Sequence, residues 1–292
     1  MNITWALLLV VSIWSTTPLA IQLSTLGSSF NFAVSSRMGL GLLICLAILI
    51  IKRQKLNTSP QAIANYLYAG IGIFVTMSLV YFSAQSLPSG MIAVVFGLTP
   101  IVTGIFAYLL LGEDFYQAHK IFGLMLGIVG LLIIFQHSLS YQAYMLYGFI
   151  ALSVAMVFQA FVAVKLKQIN AQTSALETTT GALIVALPLF LISFMLTDGT
   201  WPALISAKAA WAIVYLAIFG SVIGFVSYYY LIHHSSVKVV GIVPLITPVF
   251  ALILGASFNN EMLSALQLSG IILVLLGLGI YEYGNKKLWI KK

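Results

Sequence analysis

The sequence predicts an all-α integral membrane protein of ten transmembrane helices, built as two inverted five-helix repeats around a central cavity, with both termini in the cytoplasm. Three observations lead to this prediction: an apolar composition, a one-sided distribution of basic residues, and an internal repeat. The 292 residues are 61% hydrophobic and 7% charged, with a mean hydropathy of +1.09. Soluble globular proteins carry roughly a quarter charged residues. A chain with so few charges cannot cover a water-facing surface, so lipid must surround most of it.

Ten apolar runs are long enough to cross a bilayer. A span takes about 20 mainly apolar residues, and a helix satisfies its own backbone in lipid. No Lys or Arg precedes the first run, and Trp5, Trp14 and Pro18 interrupt it, so we interpret it as a membrane helix rather than a signal peptide. The runs cover approximately residues 3–22, 31–51, 64–86, 89–111, 117–136, 142–166, 174–196, 208–232, 236–258 and 264–283.

The basic residues test this count. With the N-terminus placed in the cytoplasm, Lys208 alone falls on the opposite side and Arg37 falls within the second run. The cytoplasmic joints and tail hold all the others: Lys52, Arg53, Lys55, Lys120, Lys165, Lys167, Lys238, Lys286, Lys287, Lys291 and Lys292. The positive-inside rule predicts such an asymmetry, which one helix more or fewer would scramble. The net charge of +7 therefore indicates anionic lipid, not nucleic acid, as the partner of these residues.

An internal repeat divides the chain into halves at 1–137 and 138–292. Residues 72–113 align without gaps onto 220–261, an offset of 148. The alignment pairs Tyr81 with Tyr229, Thr99-Pro100 with Thr247-Pro248, and Glu113 with Glu261. Five helices per half place the second half upside down in the membrane. Inverted repeats are common in secondary transporters, where rocking of the halves exposes one site to alternate sides. Duplication merely as a route to a stable bundle is the alternative.

The order of these features resembles the EamA branch of the drug/metabolite transporter superfamily, over nearly the whole chain. The matching residues are Trp14, Arg37, Pro100, Gly112, Glu113, Gly123, Gly127, Gly130, Pro248, Glu261, Gly270 and Gly277. Asn259-Asn260 before Glu261, and Phe158 where a Trp is frequent, depart from the family's pattern. The resemblance implies a central cavity lined by the first, third, fourth, sixth, eighth and ninth helices. It also implies export or exchange of amino acids, related metabolites or drugs across a bacterial-type inner membrane.

Three charged residues are candidates for structural or gating roles. Arg37 lies about two turns into the second run. It can bind a carboxylate or phosphate as a bidentate donor, or it can snorkel outward or pin neighbouring helix ends, and the structural role is favoured. Glu113 and Glu261 end the fourth and ninth runs on opposite sides of the membrane. They are interpreted as gating or packing contacts, with proton coupling as the alternative.

Uncharged polar residues are the better candidates for lining a substrate cavity. Tyr81 and Gln85 share a helix face at i,i+4, as do their repeat mates Tyr229 and His233. The remaining candidates are Trp14, Thr17, Ser78, Thr99, Thr103, Gln159 and Thr247. Aromatic rings with a few hydroxyls and amides suit partly apolar solutes. Interfacial positions for the aromatics, backbone bonds for the Thr residues and a cytoplasmic turn for His233 are the alternatives.

Prolines occupy equivalent positions in the two halves. Pro100 and Pro248 each remove a backbone donor and clash with the preceding turn, so both predict a kink. Interrupted helices in matching positions point to a binding site, while a static kink that shapes the bundle is the alternative.

The residue inventory argues against an enzyme. We find no Ser-His-Asp set, no His-rich motif and no buried acidic pair, so no cofactor or metal site is predicted. Cys45 is the one cysteine and allows neither a disulfide nor a Cys-based metal site. A lipid flippase and a channel-like facilitator are the alternatives to a transporter of small molecules. Two complete halves make a monomer sufficient. The sequence leaves the substrate, the direction of transport and the coupling ion open.

Overall fold

Every regular element that the structure describes is helical, which confirms the all-α prediction for that part of the chain. The computed structural model describes residues 2–112, 117–139, 143–197, 201–202, 204–235, 237–259 and 264–283. The helices are α1 (Ile3–Ser24), α2 (Phe30–Ile51), α3 (Pro60–Ser83), α4 (Ser89–Gly97), α5 (Thr99–Leu111), α6 (Ala118–Leu139), α7 (Ala143–Ile169), α8 (Ala175–Thr197), α9 (Ala207–Tyr215), α10 (Gly224–His234), α11 (Val237–Asn259) and α12 (Ala265–Tyr283). A π-helical segment, Leu216–Ile223, joins α9 to α10.

The chain is a multi-pass membrane protein. Within the described residues, seven helical stretches are long and apolar enough to cross a bilayer. They are Ile3–Ser24, Phe30–Ile51, Pro60–Ser83, Ser89–Leu111, Tyr144–Ile169, Ala175–Thr197 and Ala207–Leu231. Three shorter apolar helices cover Ala118–Ile134, Ile246–Asn259 and Ala265–Tyr281.

Side-chain caps fix where several helices begin. The Ser59 hydroxyl accepts from the Ala62 amide ahead of Pro60, a residue suited to the first helical turn. Ser174 and Glu177 form a reciprocal capping box at the start of α8, where each backbone amide donates to the other's side chain. At the other end of a helix, Gly112 terminates α5 with a φ of +69°, a conformation that glycine adopts without strain.

Glycines bring two helices into backbone contact at one edge of the bundle. The α6–α12 pair has the most extensive contact among the described elements. A methyl group on Gly130 would lie 2.6 Å from the Gly270 carbonyl oxygen, and one on Gly277 would lie 2.6 Å from the Gly123 carbonyl oxygen. Small residues allow such close approach between membrane helices, where dispersion contacts replace the hydrophobic effect.

The remaining helices surround a buried interior. The main core takes large side chains from α2, α3, α4 and α8, including Met38, Tyr81, Met91 and Phe190. A second cluster joins α1, α10 and α11 through Ala6, Val10, Leu231 and Val243. Helix α1 therefore separates two packing regions, and several candidate site residues lie beside it.

Candidate functional site

An aromatic cluster lies between the middle of α1 and α10. The Trp14 and Tyr228 rings have centroids 4.7 Å apart, and Tyr229 follows at 5.9 Å from Tyr228 and 6.5 Å from Phe225. Gly224 makes room for the indole, since a methyl group there would lie 3.4 Å from Trp14 Nε1. Trp14 is half-buried and Tyr229 is buried. The structure thus brings two of the predicted cavity residues, Trp14 and Tyr229, into one aromatic wall.

A second aromatic group lies between α5 and α7. The Phe106 and Phe161 rings meet edge to face at a centroid distance of 5.6 Å, and Phe158 lies 6.3 Å from Phe161. These residues line a groove of about 350 Å³ together with Ser153, Val154 and Val157. Its walls are almost wholly apolar, so the groove suits the hydrocarbon part of a ligand. Sequence reasoning noted Phe158 only as a departure from a family pattern and missed this group.

Four hydroxyl groups on α3 are buried without a hydrogen-bond partner in the described part of the chain. They belong to Tyr66, Thr76, Ser78 and Tyr81. Tyr81 has no exposed surface at all. A buried hydroxyl without a partner costs about 1–3 kcal/mol, so each such group calls for an explanation. One explanation is a ligand that supplies the missing partner, and two of these residues, Ser78 and Tyr81, were predicted cavity residues.

Other predicted cavity residues bond to their own backbone or sit apart. Thr17 donates to the Ile13 carbonyl oxygen at 2.7 Å, and Thr99 donates to that of Phe96 at 2.6 Å. Gln85 is exposed, lies beyond the end of α3 and donates to the Tyr81 carbonyl oxygen at 3.3 Å. Thr103 and Gln159 are half-buried, and Thr247 is buried. The side chain of His233 and all of Glu113 and Glu261 lie outside the described residues.

The two candidate prolines have different surroundings. Leu98 separates α4 from α5 just before Pro100. Helix α11, in contrast, runs from Val237 to Asn259 without a break at Pro248. The matched prolines therefore accompany a helix interruption in one half and a continuous helix in the other.

Tyr81 and Tyr229 have different surroundings. Tyr81 belongs to the main core, which takes Ala20 and Ile21 from the second half of α1. Tyr229 lies two residues before Leu231, which packs with Ala6 and Val10 in the first half of α1.

Arg37 is buried between α2 and the π-helical segment. Its side chain is 1% exposed, which excludes outward snorkelling in this conformation. The Nε atom donates to the Ser221 hydroxyl at 2.9 Å, and a methyl group on Gly220 would lie 2.9 Å from Nη2. The Nη1 atom is buried and has no partner within the described residues. π-Helical segments are rare and frequently occur at functional sites, and this one contacts the buried cation through Gly220 and Ser221.

Among the amide side chains that link helices near their ends, sequence reasoning missed Gln22 and Gln168. Gln22 in α1 donates to the Leu87 carbonyl oxygen at 2.7 Å and accepts from Asn259 of α11 at 2.9 Å. Gln168 in α7 donates to the Leu110 carbonyl oxygen of α5 at 3.4 Å. An amide near the end of an otherwise apolar run is the one sequence signal that marks either residue. We call the first set the α1–α11 latch and the second the α5–α7 latch.

Acidic side chains contribute little to the described interior. Glu177 is the one carboxylate whose side chain is described. It accepts from the Asn57 amide at 3.2 Å and the Ser174 amide at 2.8 Å, which ties the 52–59 loop to the start of α8. The described residues contain no cluster of three or more His, Cys, Asp or Glu side chains suited to a metal ion.

Comparison with known proteins gives two matches to one family model. The model of the EamA-like transporter family matches residues 1–136 and again residues 146–281. Protein PecM of Dickeya dadantii is 25% identical over 213 residues, which cover 73% of this chain and 70% of that protein. An uncharacterized transporter of Archaeoglobus fulgidus is 26% identical over 257 residues, covering 87% and 86% of the two chains. Transporter YvbV of Bacillus subtilis is 24% identical over 207 residues, covering 68% and 65%.

A solved structure shares the fold. One crystal structure superposes with a TM-score of 0.70 over 98% of this chain and 98% of the other chain. The sequence identity between the two is 18%, so this likeness concerns the fold alone.

Proposed function

Because the chain belongs to the EamA-like transporter family, we propose that this membrane transporter exports or exchanges small metabolites by alternating access. Its solutes are amino acids, related amphipathic compounds or drugs, and its membrane is the inner membrane of a bacterial-type cell. The solute site lies between two inverted repeats at residues 1–137 and 138–292. The two matches to the family model, which begin and end close to these bounds, support the division.

The pattern of helix contacts also supports two equivalent halves. The repeat offset of 148 residues places α3 on the α9–α10 region and α4–α5 on α11. Helix α1 packs against α10 and α11, and α7 packs against α3 and α5, which are the counterparts of those partners. Helices α2 and α8 are each other's counterparts and pack together, as do α6 and α12.

The two latches are the observation that carries the alternating-access proposal. The α1–α11 latch and the α5–α7 latch join counterpart helices, and both link residues 1–137 to residues 138–292. In an inverted repeat, counterpart bonds lie at opposite faces of the membrane. Opening one latch while the other stays closed gives the central cavity access to one side at a time.

The chemistry of the interior suits amphipathic solutes. The Trp14–Tyr228 wall offers apolar aromatic surface, while the Ser78 and Tyr81 hydroxyls offer hydrogen bonds. A site with both properties selects solutes that carry a polar group on an apolar body. Glu113 and Glu261, at equivalent places in the repeats, are proposed as gating or packing residues near the two mouths. Pro100 and Pro248 are proposed as hinges.

Ten membrane spans with both termini in the cytoplasm complete the proposed topology. The three shorter apolar helices add to the seven longer ones. In a Cys45→Ser background, single cysteines at Lys52 and Lys286 are expected to react with a membrane-impermeant maleimide only from the cytoplasmic side. A cysteine at Lys208 is expected to react only from the other side, which makes it the matched control. Labelling of positions 52 and 286 from different sides overturns the topology.

The transport function is tested in liposomes that contain the purified protein. We expect saturable uptake of a labelled solute from a panel of amino acids, nucleosides, quaternary amines and sugars, stimulated by the same unlabelled solute inside. Stimulation by internal solute distinguishes a carrier from a channel, because a carrier must return to reload. Uptake that neither saturates nor responds to internal solute contradicts the proposal.

Variants of the two latches test the alternating-access mechanism in the same liposome assay. Gln22→Ala and Gln168→Ala each remove one hydrogen bond between the halves, to Asn259 and to Leu110, and Gln22→Ala also removes the bond to Leu87 within the first half. A bond between the halves is worth about 1 kcal/mol, so each variant should shift the conformational equilibrium by about fivefold, in opposite directions. The apparent affinity for external solute should then rise in one variant and fall in the other. Thr25→Ala is the control, since within the described residues the Thr25 hydroxyl donates to the Gln22 carbonyl oxygen at the end of the same helix and not to the other half.

A lipid flippase is the second candidate because the α5–α7 groove is apolar and open. Val154 and Val157 on its wall are both exposed, so an acyl chain can enter from the bilayer. Movement of a fluorescent phospholipid between leaflets of the same liposomes, without solute counterflow, supports a flippase over a transporter of small molecules.

A further inference from the structure

Arg37 presents a buried cation whose hydrogen-bonding capacity is only partly used. It lies about two turns into α2, in a helix long and apolar enough to cross the bilayer. Nε donates to Ser221 at 2.9 Å, whereas Nη1 has no partner in the described part of the chain. A charge at membrane depth is costly, and an unsatisfied donor adds to that cost. A partner for Nη1 would remove part of this cost.

The described surroundings contain no carboxylate that neutralises this guanidinium. Glu177 is the one described acid, and it is bonded to the Asn57 and Ser174 amides at a loop. The described contacts of the guanidinium are instead with neutral groups, the Ser221 hydroxyl and Gly220. A monovalent anion therefore fits this site better than a dianion, whose second charge would stay uncompensated in a medium of low dielectric constant.

We propose that Arg37 recognises the carboxylate of the transported solute, with Nη1 donating to a carboxylate oxygen while Nε stays on Ser221. The inference rests on the proposed transport function and names its substrate class, solutes with one carboxylate. Charge-assisted bonds from arginine to carboxylate are about twice as strong as neutral hydrogen bonds. Binding thus satisfies the buried donor and neutralises the cation together.

The π-helical segment packs closely against α2 beside Arg37. A methyl group on Gly41 of α2 would lie 3.2 Å from Ser221 Cβ. The Ser221 hydroxyl accepts from Nε, and a methyl group on Gly220 would lie 2.9 Å from Nη2. The proposal therefore includes a displacement of residues 216–223 that opens Nη1 to the solute.

Thermal unfolding of the purified full-length protein tests the proposal. The probes are α-amino acids and 2-oxo acids, each paired with its neutral carboxamide, and chloride set against a large organic sulfonate at equal ionic strength. We expect at least one acid to raise the unfolding temperature while its carboxamide does not. Arg37→Lys should weaken the apparent affinity for that acid by about tenfold, and Arg37→Gln should abolish the preference for acid over amide.

Ser35→Ala is the matched control. Ser35 lies on α2 two residues before Arg37 and bonds to the Phe190 carbonyl oxygen at 3.2 Å, so its loss weakens packing without touching the guanidinium. The control should keep the preference for the acid. The proposal is overturned if no acid stabilises the wild-type protein more than its amide, if Arg37→Gln retains the preference, or if chloride alone gives the shift. The wild-type comparison does not depend on any variant folding.

Counterflow in liposomes separates this inference from the transport function. Saturable counterflow of neutral solutes, with no preference for acids, supports the transport function and contradicts the carboxylate site. Stabilisation by an acid without counterflow of any solute supports the carboxylate site and contradicts the transport function.

Discussion

Replacing Tyr81 by phenylalanine is expected to lower transport by about fivefold while leaving the protein at least as stable. The Tyr81 hydroxyl is fully buried and has no partner among the described residues, so the fold gains nothing from it. Removing an unsatisfied buried donor relieves a cost of about 1–3 kcal/mol. If the hydroxyl binds solute, the same change removes a hydrogen bond worth about 1 kcal/mol from the loaded state, which is roughly fivefold in affinity.

Alanine at the same position has a larger effect of a different kind. Tyr81→Ala also removes a ring that packs in the main core, so transport should fall by more than about tenfold and the protein should lose about 3–5 kcal/mol of stability. Tyr229→Ala should likewise lower transport, because Tyr229 belongs to the wall around Trp14 and Tyr228. Both changes must be scored as activity per folded molecule.

Tyr66→Phe is the control for the hydroxyl effect. Tyr66 lies on the same helix about four turns from Tyr81 and packs against Gly181, at the opposite end of α3. The Tyr66 hydroxyl is also buried without a partner among the described residues, so it matches the Tyr81 hydroxyl in all but position. Loss of the Tyr66 hydroxyl should leave transport unchanged. The measurements are initial rates of counterflow and unfolding temperatures for the three tyrosine sites. Unchanged activity per folded molecule in both alanine variants means that the cavity has been assigned to the wrong residues.

The positions of the helices could be predicted from the sequence because lipid imposes them. The predicted run 31–51 corresponds to Phe30–Ile51, and 264–283 corresponds to Ala265–Tyr283. A membrane segment must be apolar over a set length and must end where polar residues begin, so the local composition predicts where the segment begins and ends.

Irregularities inside helices could not be predicted in the same way. Pro100 indicated an interruption near Leu98, but Pro248, which also follows a threonine and stands between aliphatic residues, lies in a continuous helix. No proline lies within Leu216–Ile223, yet this stretch is π-helical. It contacts the Arg37 side chain and Gly41, both distant in sequence. Such long-range packing leaves no local signal.

The candidate site also has features that residue type predicts and features that depend on long-range packing. Residue type identified Trp14 and Tyr229 as amphipathic lining, and the structure places them in one cluster with Tyr228. Residue type could not distinguish a threonine that faces a cavity from one that bonds to its own helix, as Thr17 and Thr99 do. The latches were missed because each depends on the meeting of two helix ends.

Adding one methyl group to Gly130 is expected to destabilise the protein by about 1–3 kcal/mol. The new Cβ would lie 2.6 Å from the Gly270 carbonyl oxygen and 2.9 Å from the Val274 amide nitrogen, and backbone atoms cannot move aside as a side chain can. Helices α6 and α12 must separate, which weakens dispersion contacts along their whole interface. Gly277→Ala should act similarly, because its Cβ would lie 2.6 Å from the Gly123 carbonyl oxygen.

Gly279→Ala is the matched control on the same helix as Gly277. A methyl group there meets no atom within 4 Å, and alanine favours a helix over glycine by about 1 kcal/mol, so this variant should be as stable as the wild type or more so. The measurement is the unfolding temperature of each variant in one detergent. Equal losses of stability in Gly130→Ala and Gly279→Ala contradict close packing of α6 against α12.

The double variant Gly130→Ala/Gly277→Ala should lose less stability than the sum of the single changes, because the first substitution already separates the helices that the second one pushes apart. Counterflow per folded molecule should stay near wild type in all of them, since α6 and α12 lie outside the proposed solute path. A parallel loss of activity would instead place this helix pair among the parts that move during transport.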